Sequence, residues 1–322
     1  MATRVVVTGA AGFIGSHLCE ALLARGHDVV GIDAFTDYYD PRIKRENVAR
    51  AAASPGFRLV EGSLTSLDLT AALDGAATVV HLAAQPGVRA SWGSTFEPYI
   101  ENNVRATQRL CEAMKTIGGM RLVYAGSSSV YGQTAELPMR EAHRTRPLSP
   151  YGVTKLAGEA LALLYAENYG MPAVSLRFFT VYGPRQRPDM AFHRFIRAGL
   201  NGDPIEVYGS GTQTRDFTFV ADAVAATVAA VAYGGGDSVF NIGGGSRVSL
   251  NHVLDLLGRV MNRRLDVRFV EPQKGDVKHT FADVSLAQRE LGYAPTTSLE
   301  DGLAREVEWV DSLYRRFGRG VG

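Results

Sequence analysis

Seven residues near the N-terminus, Gly9-Ala-Ala-Gly12-Phe-Ile-Gly15, constrain this chain more than any other feature. They lie between a β-branched run, Arg4–Thr8, and an apolar pattern at helical spacing, Ile14–Arg25. Three glycines at this spacing say little alone in a chain with 35 of them, but a strand before and a helix after supply the required context. Gly9 would permit a tight turn, Gly12 would let backbone approach a pyrophosphate, and Gly15 would let helix and strand pack closely. The N–H groups of the first turn, from Phe13 and Ile14 to Gly15, point with the helix dipole at any anion seated there. Asp33 closes the next apolar run, Asp28–Asp33. A carboxylate at that place accepts hydrogen bonds from a ribose and repels a 2′-phosphate, which favours NAD over NADP.

Short apolar runs recur: Arg58–Glu61, Thr78–Leu82, Arg121–Ala125 and Ala173–Phe178 read as strands buried on both faces. Pro98–Lys115 and Tyr151–Tyr169 read as helices between them. This alternation predicts an α/β fold, a Rossmann-type doubly wound parallel sheet with right-handed crossovers. After Phe178 the texture changes to loops and turns, with strands at Val239–Ile242 and Leu265–Val270 and helices from Leu250 and Leu299. The expected organisation is an NAD-binding domain, 1–178 plus about 216–242, and a smaller C-terminal substrate-binding domain, 179–215 and 243–322. In such folds ligands bind at the strand C-termini, which assigns Ser63 and Leu64 to the adenine side and Leu82, Ala83 and Ala84 to the nicotinamide ribose.

A net charge of +1, from 34 basic and 33 acidic residues, gives no drive toward nucleic acid or an anionic membrane. No apolar stretch approaches the roughly 20 residues of a membrane span, and no secretory pattern precedes Val5. Two cysteines, Cys19 and Cys111, fit a reducing compartment, so the expectation is a cytoplasmic protein. The seven histidines show no metal-ligand spacing, and His81 in its strand reads as core. No metal is expected.

Tyr151-Gly-Val-Thr-Lys155 opens a helix and sets Tyr and Lys on one face. A phenol titrating near 10 is a poor base at neutral pH, and a neighbouring ammonium would lower it. Ser127, at a strand end, offers a hydroxyl to the same substrate oxygen. The expected catalytic set is therefore Tyr151, Lys155 and Ser127.

The chain resembles the extended short-chain dehydrogenase/reductase family, the NAD-dependent sugar-nucleotide epimerases and dehydratases, over essentially its whole length. The resemblance is carried by Thr8–His17, His81–Ala84, Ser127–Gly132, Tyr151 with Lys155, Arg177–Pro184, Arg215–Val220 and Leu291–Pro295. It implies bound NAD, a nucleoside-diphosphate sugar substrate, a 4-keto intermediate and a homodimer paired through 98–115 and 151–169. Asp37–Pro41, Ala84–Arg89 and Gly183–Met190 are similar to the UDP-glucuronate 4-epimerases in particular.

Dehydratases of the family carry an Asp-Glu pair beside the catalytic hydroxyl, and decarboxylases a Glu; here Ser128 and Ser129 stand there. Epimerisation at C4 remains, with a UDP-hexose epimerase and a UDP-glucuronate decarboxylase as alternatives. A uronate must have its carboxylate held, because its 4-keto form is a β-keto acid prone to losing carbon dioxide. Ser128, Ser129 and Thr180 are the expected donors, with Arg89 or Arg185 nearby and Gln85 in the same site. Arg215 matches the family's pyrophosphate-contacting arginine, and Asp276 follows the position of a second one, which is absent here.

Overall fold

The computed structural model describes residues 3–134, 136–271 and 277–321. Seven strands form one parallel sheet: β1 (Arg4–Thr8), β2 (Asp28–Asp33), β3 (Phe57–Glu61), β4 (Thr78–His81), β5 (Arg121–Ser127), β6 (Ala173–Phe178) and, later in the chain, β10 (Ser238–Ile242). Their order is β10-β6-β5-β4-β1-β2-β3. β1, β2 and β6 span the residues expected from sequence. The sheet is buried on both sides because successive strand residues enter different cores. Val5, Val7 and Val29 pack into one cluster, whereas Val6, Val30 and Ile32 pack into another.

The helices divide accordingly. On one side α1 (Phe13–Leu23) packs against α8 (Val220–Ala232), and α2 (Pro41–Ala52) packs on α1. On the other, α3 (Leu69–Leu73), α5 (Ala106–Ile117) and α6 (Pro150–Tyr169) pack together. α5 is entered through a short helical turn, α4 (Glu97–Tyr99), and a π turn over Ile100–Arg105. α6 has well-defined ends. The Ser149 hydroxyl accepts from Gly152 N–H at 3.1 Å, Pro150 occupies the first turn, and Gly170 closes the helix in the left-handed region. A cap of this kind contributes about 1 kcal/mol and fixes where Tyr151 begins its turn.

Beyond β6 the chain builds two small sheets. β7 (Thr180–Tyr182), β9 (Thr214–Phe219) and β11 (Arg247–Ser249) form one, in the order β11-β9-β7. β8 (Ile205–Tyr208) and β12 (Val267–Val270) form the other. The return to the large sheet is made by α8 and β10, since β9 pairs with β7 and β11 instead. α7 (Ala191–Asn201), α9 (Leu250–Val260), α10 (Ser285–Leu291) and α11 (Leu299–Phe317) complete the chain. Among the described residues no helix is long and apolar enough to cross a membrane.

Candidate active site

The strand order reverses between β1 and β4, and a long cleft runs along the strand C-termini there, where doubly wound sheets bind ligands. Its floor begins at the glycine turn. Gly9 has φ +72°, and a Cβ on it would meet Ala83 N at 2.9 Å. A Cβ on Gly15 would lie 2.1 Å from the Gly9 carbonyl oxygen, whereas one on Gly12 would meet only that carbonyl, the oxygen at 3.1 Å and the carbon at 4.0 Å. Gly9 thus makes the turn, Gly15 the close packing, and Gly12 presents bare backbone to the cleft. No side chain caps α1, so its first N–H groups, at Phe13, Ile14 and Gly15, face the cleft without a protein acceptor from the cap position.

At the same end of the cleft, Asp33 closes β2. Its carboxylate accepts from Ala11 N–H at 3.0 Å and Phe35 N–H at 2.8 Å, which ties the glycine turn to the loop after β2. Ser63 and Leu64, after β3, line the same end. So do Tyr38 and Tyr39 of the Asp37–Pro41 run, together with Thr36 and Lys44, which the sequence did not single out. Lys44 is buried; its ammonium donates to the Thr36 hydroxyl at 3.0 Å and lies 5.0 Å from the Tyr39 ring centre. A cation beside Asp33 has a tell-tale in sequence: α2 carries Lys44 and Asn47 on the face that packs inward.

The opposite end gathers Leu82, Ala83, Ala84, Gln85, Ser127, Tyr151 and Lys155. Lys155 is 5% exposed and sits 5.0 Å over the Tyr124 ring centre. Burial pulls its ammonium down to about 8, opposed by Glu159 one turn further along α6. Glu159 is itself paired with Arg177 at 2.6 Å. The Tyr151 phenol is held above its ordinary value by burial, against the pull of Arg187 and a hydrogen bond with Ser127. The sequence reading looked to the Lys155 ammonium to lower this phenol. Instead desolvation outweighs the nearby charge, and the opposing cation is Arg187. The Ser127 hydroxyl also accepts from Ser129 N–H at 3.1 Å.

Among the expected substrate residues, Gln85, Ser128, Ser129 and Thr180 line this end of the cleft. Arg187 joins them, braced by Asp189 at 2.9 Å. Arg185 does not line it: with φ +67° it turns to the other side of the loop and pairs with Glu20 of α1 at 2.6 Å. Arg89 stacks 4.2 Å over the Tyr208 ring, and Arg215 donates to the carbonyls of Thr214 and Lys278. Neither is among the lining residues. Asp276 lies outside the described residues. Asp33 is the one carboxylate among the described lining residues, and it stands at the far end from Tyr151. Among the described residues, no three of His, Cys, Asp or Glu are grouped as metal ligands would be.

A glycine-cradled helix N-terminus at one end of the cleft and a Tyr–Lys–Ser cluster at the other define a dinucleotide-dependent dehydrogenase-type site. Residues 5–243 match the NAD dependent epimerase/dehydratase family, and the chain belongs to it. It is similar to an uncharacterized UDP-glucose epimerase of Bacillus subtilis, 44% identical over 97% of this chain and 99% of the relative. It is also similar to UDP-glucuronate 4-epimerase 4 of Arabidopsis thaliana, 40% identical over 96% of this chain and 76% of the relative. Among solved structures, the UDP-glucuronic acid 4-epimerase of Bacillus cereus in complex with UDP-glucuronic acid and NAD superposes with a TM-score of 0.94. That match is at 43% identity and covers 97% of this chain and 100% of the other.

The residues present fit NAD on their own geometry. A methyl group on Gly12 would fill the space where backbone meets a diphosphate, α1 lacks a side-chain cap, and Asp33 stands where a 2′-phosphate would be repelled.

Proposed function

We propose that this enzyme interconverts UDP-glucuronate and UDP-galacturonate by epimerisation at C4. One observation carries the choice of sugar: beside Tyr151 the cleft presents the hydroxyls of Ser128, Ser129 and Thr180 together with Arg187, and no carboxylate. Those are groups that hold a uronate's carboxylate, and among the described lining residues they leave no carboxyl group beside Tyr151 to drive elimination of water or loss of carbon dioxide. The Bacillus cereus structure, bound to UDP-glucuronic acid, supports the same sugar.

When bound, NAD supplies the acceptor, and then the donor, of the hydride at C4. Gly9, Gly12, Gly15 and the first turn of α1 would hold its diphosphate, Asp33 with Ser63 and Leu64 its adenosine end, and Leu82, Ala83, Ala84 and Lys155 its other ribose. Tyr151 takes the O4 proton and later returns it. Ser127 hydrogen-bonds the same oxygen, and Arg187 favours the phenolate. Lys155, still charged at neutral pH, orients the ribose and adds to the positive field. Ser128, Ser129 and Thr180 fix the carboxylate of the 4-keto intermediate so that the bond to it stays out of alignment with the ketone, while the ring turns its other face. Gln85 belongs to the sugar's surroundings; Arg215 and Asp276 are proposed for the diphosphate side. Arg89 follows Val88 of the cleft lining and stays a candidate for the carboxylate, and Arg185 acts through the loop that carries Arg187.

The name of the Bacillus subtilis relative favours a second reading, epimerisation of a neutral UDP-hexose. The ratio of kcat/KM for UDP-glucuronate and UDP-glucose separates the two. The first reading predicts a preference for glucuronate of about tenfold or more, the worth of one charge-assisted contact; equal or reversed values overturn it. We further infer a cytoplasmic homodimer. Support comes from the buried free thiols of Cys19 and Cys111 and from exposed apolar residues on α5 and α6, Ile117, Val153, Leu164 and Tyr169. Light scattering should give twice the 34.7 kDa chain mass; a monomer at micromolar concentration would overturn the pairing.

A further inference from the structure

His81 ends β4 with its imidazole buried between two threonine hydroxyls. Nδ1 lies 2.8 Å from Thr8 Oγ1, and Nε2 lies 3.0 Å from Thr107 Oγ1. The surrounding bonds fix their direction. The Thr107 hydroxyl gives its single proton to the Asn103 carbonyl at 2.7 Å, so towards His81 it accepts, and Nε2 carries the ring proton. Nδ1 then accepts from the Thr8 hydroxyl, which itself accepts from Ala83 N–H at 3.1 Å. The opposite tautomer would take the Thr107 proton away from the Asn103 carbonyl and break that bond. Burial, reinforced by Lys155, pulls the imidazolium down to about 3, so the ring is neutral.

From the same π turn the chain runs on to the reacting end of the cleft. Asn103 Oδ1 accepts from Gln85 N–H at 2.6 Å, and its Nδ2 donates to the Gln85 carbonyl at 3.1 Å and to Thr154 Oγ1 at 3.0 Å. The Thr154 hydroxyl passes its proton to the Tyr151 carbonyl at 2.9 Å. Thr8, His81, Asn103, Thr107 and Thr154 are each no more than 2% exposed, so water offers no substitute partner. The π turn has a cause in this chain: the extra residue in the turn brings Asn103 to face both Gln85 and Thr154.

We propose that His81 is a positioning residue for the epimerisation: as its Nε2–H tautomer it ties Thr8 at the tip of β1 to Thr107 and the Asn103 carbonyl, and the Asn103 side chain ties that turn to Gln85 and Thr154, so that Tyr151 and the Ala83–Gln85 floor keep fixed register with the glycine cradle. The proposal rests on Tyr151 being the acid–base group. It assigns to a buried, non-reacting histidine the task of keeping the phenol, the sugar floor and the tip of β1 aligned, where a displacement of about 1 Å can cost roughly a hundredfold in rate.

The test is Thr107→Val, which keeps the shape and removes the hydroxyl, with Thr107→Ser and Tyr151→Phe assayed beside it. Thr107→Val is expected to lower kcat about tenfold or more with KM for UDP-glucuronate within about threefold, and Thr107→Ser to recover most of the loss. A wild-type kcat in Thr107→Val, or a loss that Thr107→Ser does not recover, overturns the positioning role. If Tyr151→Phe keeps full activity, the acid–base reading fails first; an inactive Tyr151→Phe with a wild-type Thr107→Val overturns His81's role alone. Should Thr107→Val not fold, the nitrogen-15 spectrum of the wild-type histidines decides. A neutral Nε2–H ring for His81 supports the proposal, and an Nδ1–H or charged ring overturns it.

Discussion

Gly12 and Gly15 sit three residues apart in one motif, and the structure gives them different work, so alanine at each should fail differently. At Gly15 the new Cβ would lie 2.1 Å from the Gly9 carbonyl oxygen and 2.9 Å from its carbon. An acceptable C···O contact is about 3.3 Å, so the turn must move by about 1 Å. That oxygen also accepts from Gly12 N–H at 3.0 Å, so the shift costs this bond as well. Overpacking of about 1–3 kcal/mol and about 1 kcal/mol of hydrogen bond, offset by about 1 kcal/mol of improved helix propensity, leave a net loss of about 1–3 kcal/mol. At Gly12 the backbone is already extended, φ −76° and ψ −179°, and Cβ meets only the Gly9 carbonyl, its oxygen at 3.1 Å and its carbon at 4.0 Å. Gly12→Ala should therefore unfold within about 1 kcal/mol of wild type, yet bind NAD about tenfold to a hundredfold more weakly, because its methyl occupies the diphosphate's approach. Urea denaturation of cofactor-stripped protein measures the first quantity and calorimetric titration with NAD the second. Wild-type NAD affinity in Gly12→Ala, or wild-type stability in Gly15→Ala, refutes the division of labour.

Lys155 is charged at a cost in the folded protein. Its ammonium is pulled from 10.5 to about 8, so between those values the unfolded chain binds more protons and stability rises with pH. Lys155→Met should therefore stabilise cofactor-stripped protein by roughly 3 kcal/mol at pH 7, an increment that shrinks from pH 8 to 10.5; a flat increment in denaturation at each pH contradicts this. Asp33→Asn should weaken NAD about tenfold and narrow the preference over NADP, read by titration with each cofactor; an unchanged ratio would remove the carboxylate from the selection. Thr180→Val should raise KM for UDP-glucuronate about tenfold and release some UDP-pentose, because one donor to the carboxylate is gone; chromatography showing wild-type KM and no pentose would take Thr180 out of the carboxylate site.

The parallel sheet and its cradle were legible because both faces of each strand are apolar and the glycines fall where strand becomes helix. Tyr151, Lys155, Ser127 and Asp33 were legible as residue types at set distances along one helix face or at a strand end. Other parts depend on contacts distant in sequence. α2 escapes an apolar-period reading because its inner face carries Lys44 and Asn47. In the π turn Asn103 accepts from Gln85 N–H and donates to Thr154, 18 and 51 residues away, partners no local pattern announces. Arg185 and Arg187 look alike in sequence, and only the left-handed backbone at Arg185 decides that it meets Glu20 while Arg187 reaches the cleft. Gly243 and Gly244 pack on β9. A Cβ on Gly244 would lie 2.0 Å from the Phe217 carbonyl, and its N–H donates to buried Asp216 at 2.6 Å.

In the proposed epimerisation hydrogen leaves C4 of UDP-glucuronate and returns to the same carbon without exchange with solvent. Turnover of UDP-glucuronate in deuterated water, followed by magnetic resonance of the product, tests it most directly. The expected product is UDP-galacturonate carrying its original hydrogen at C4, without UDP-pentose. Solvent deuterium at C4, or a pentose as the main product, would contradict it.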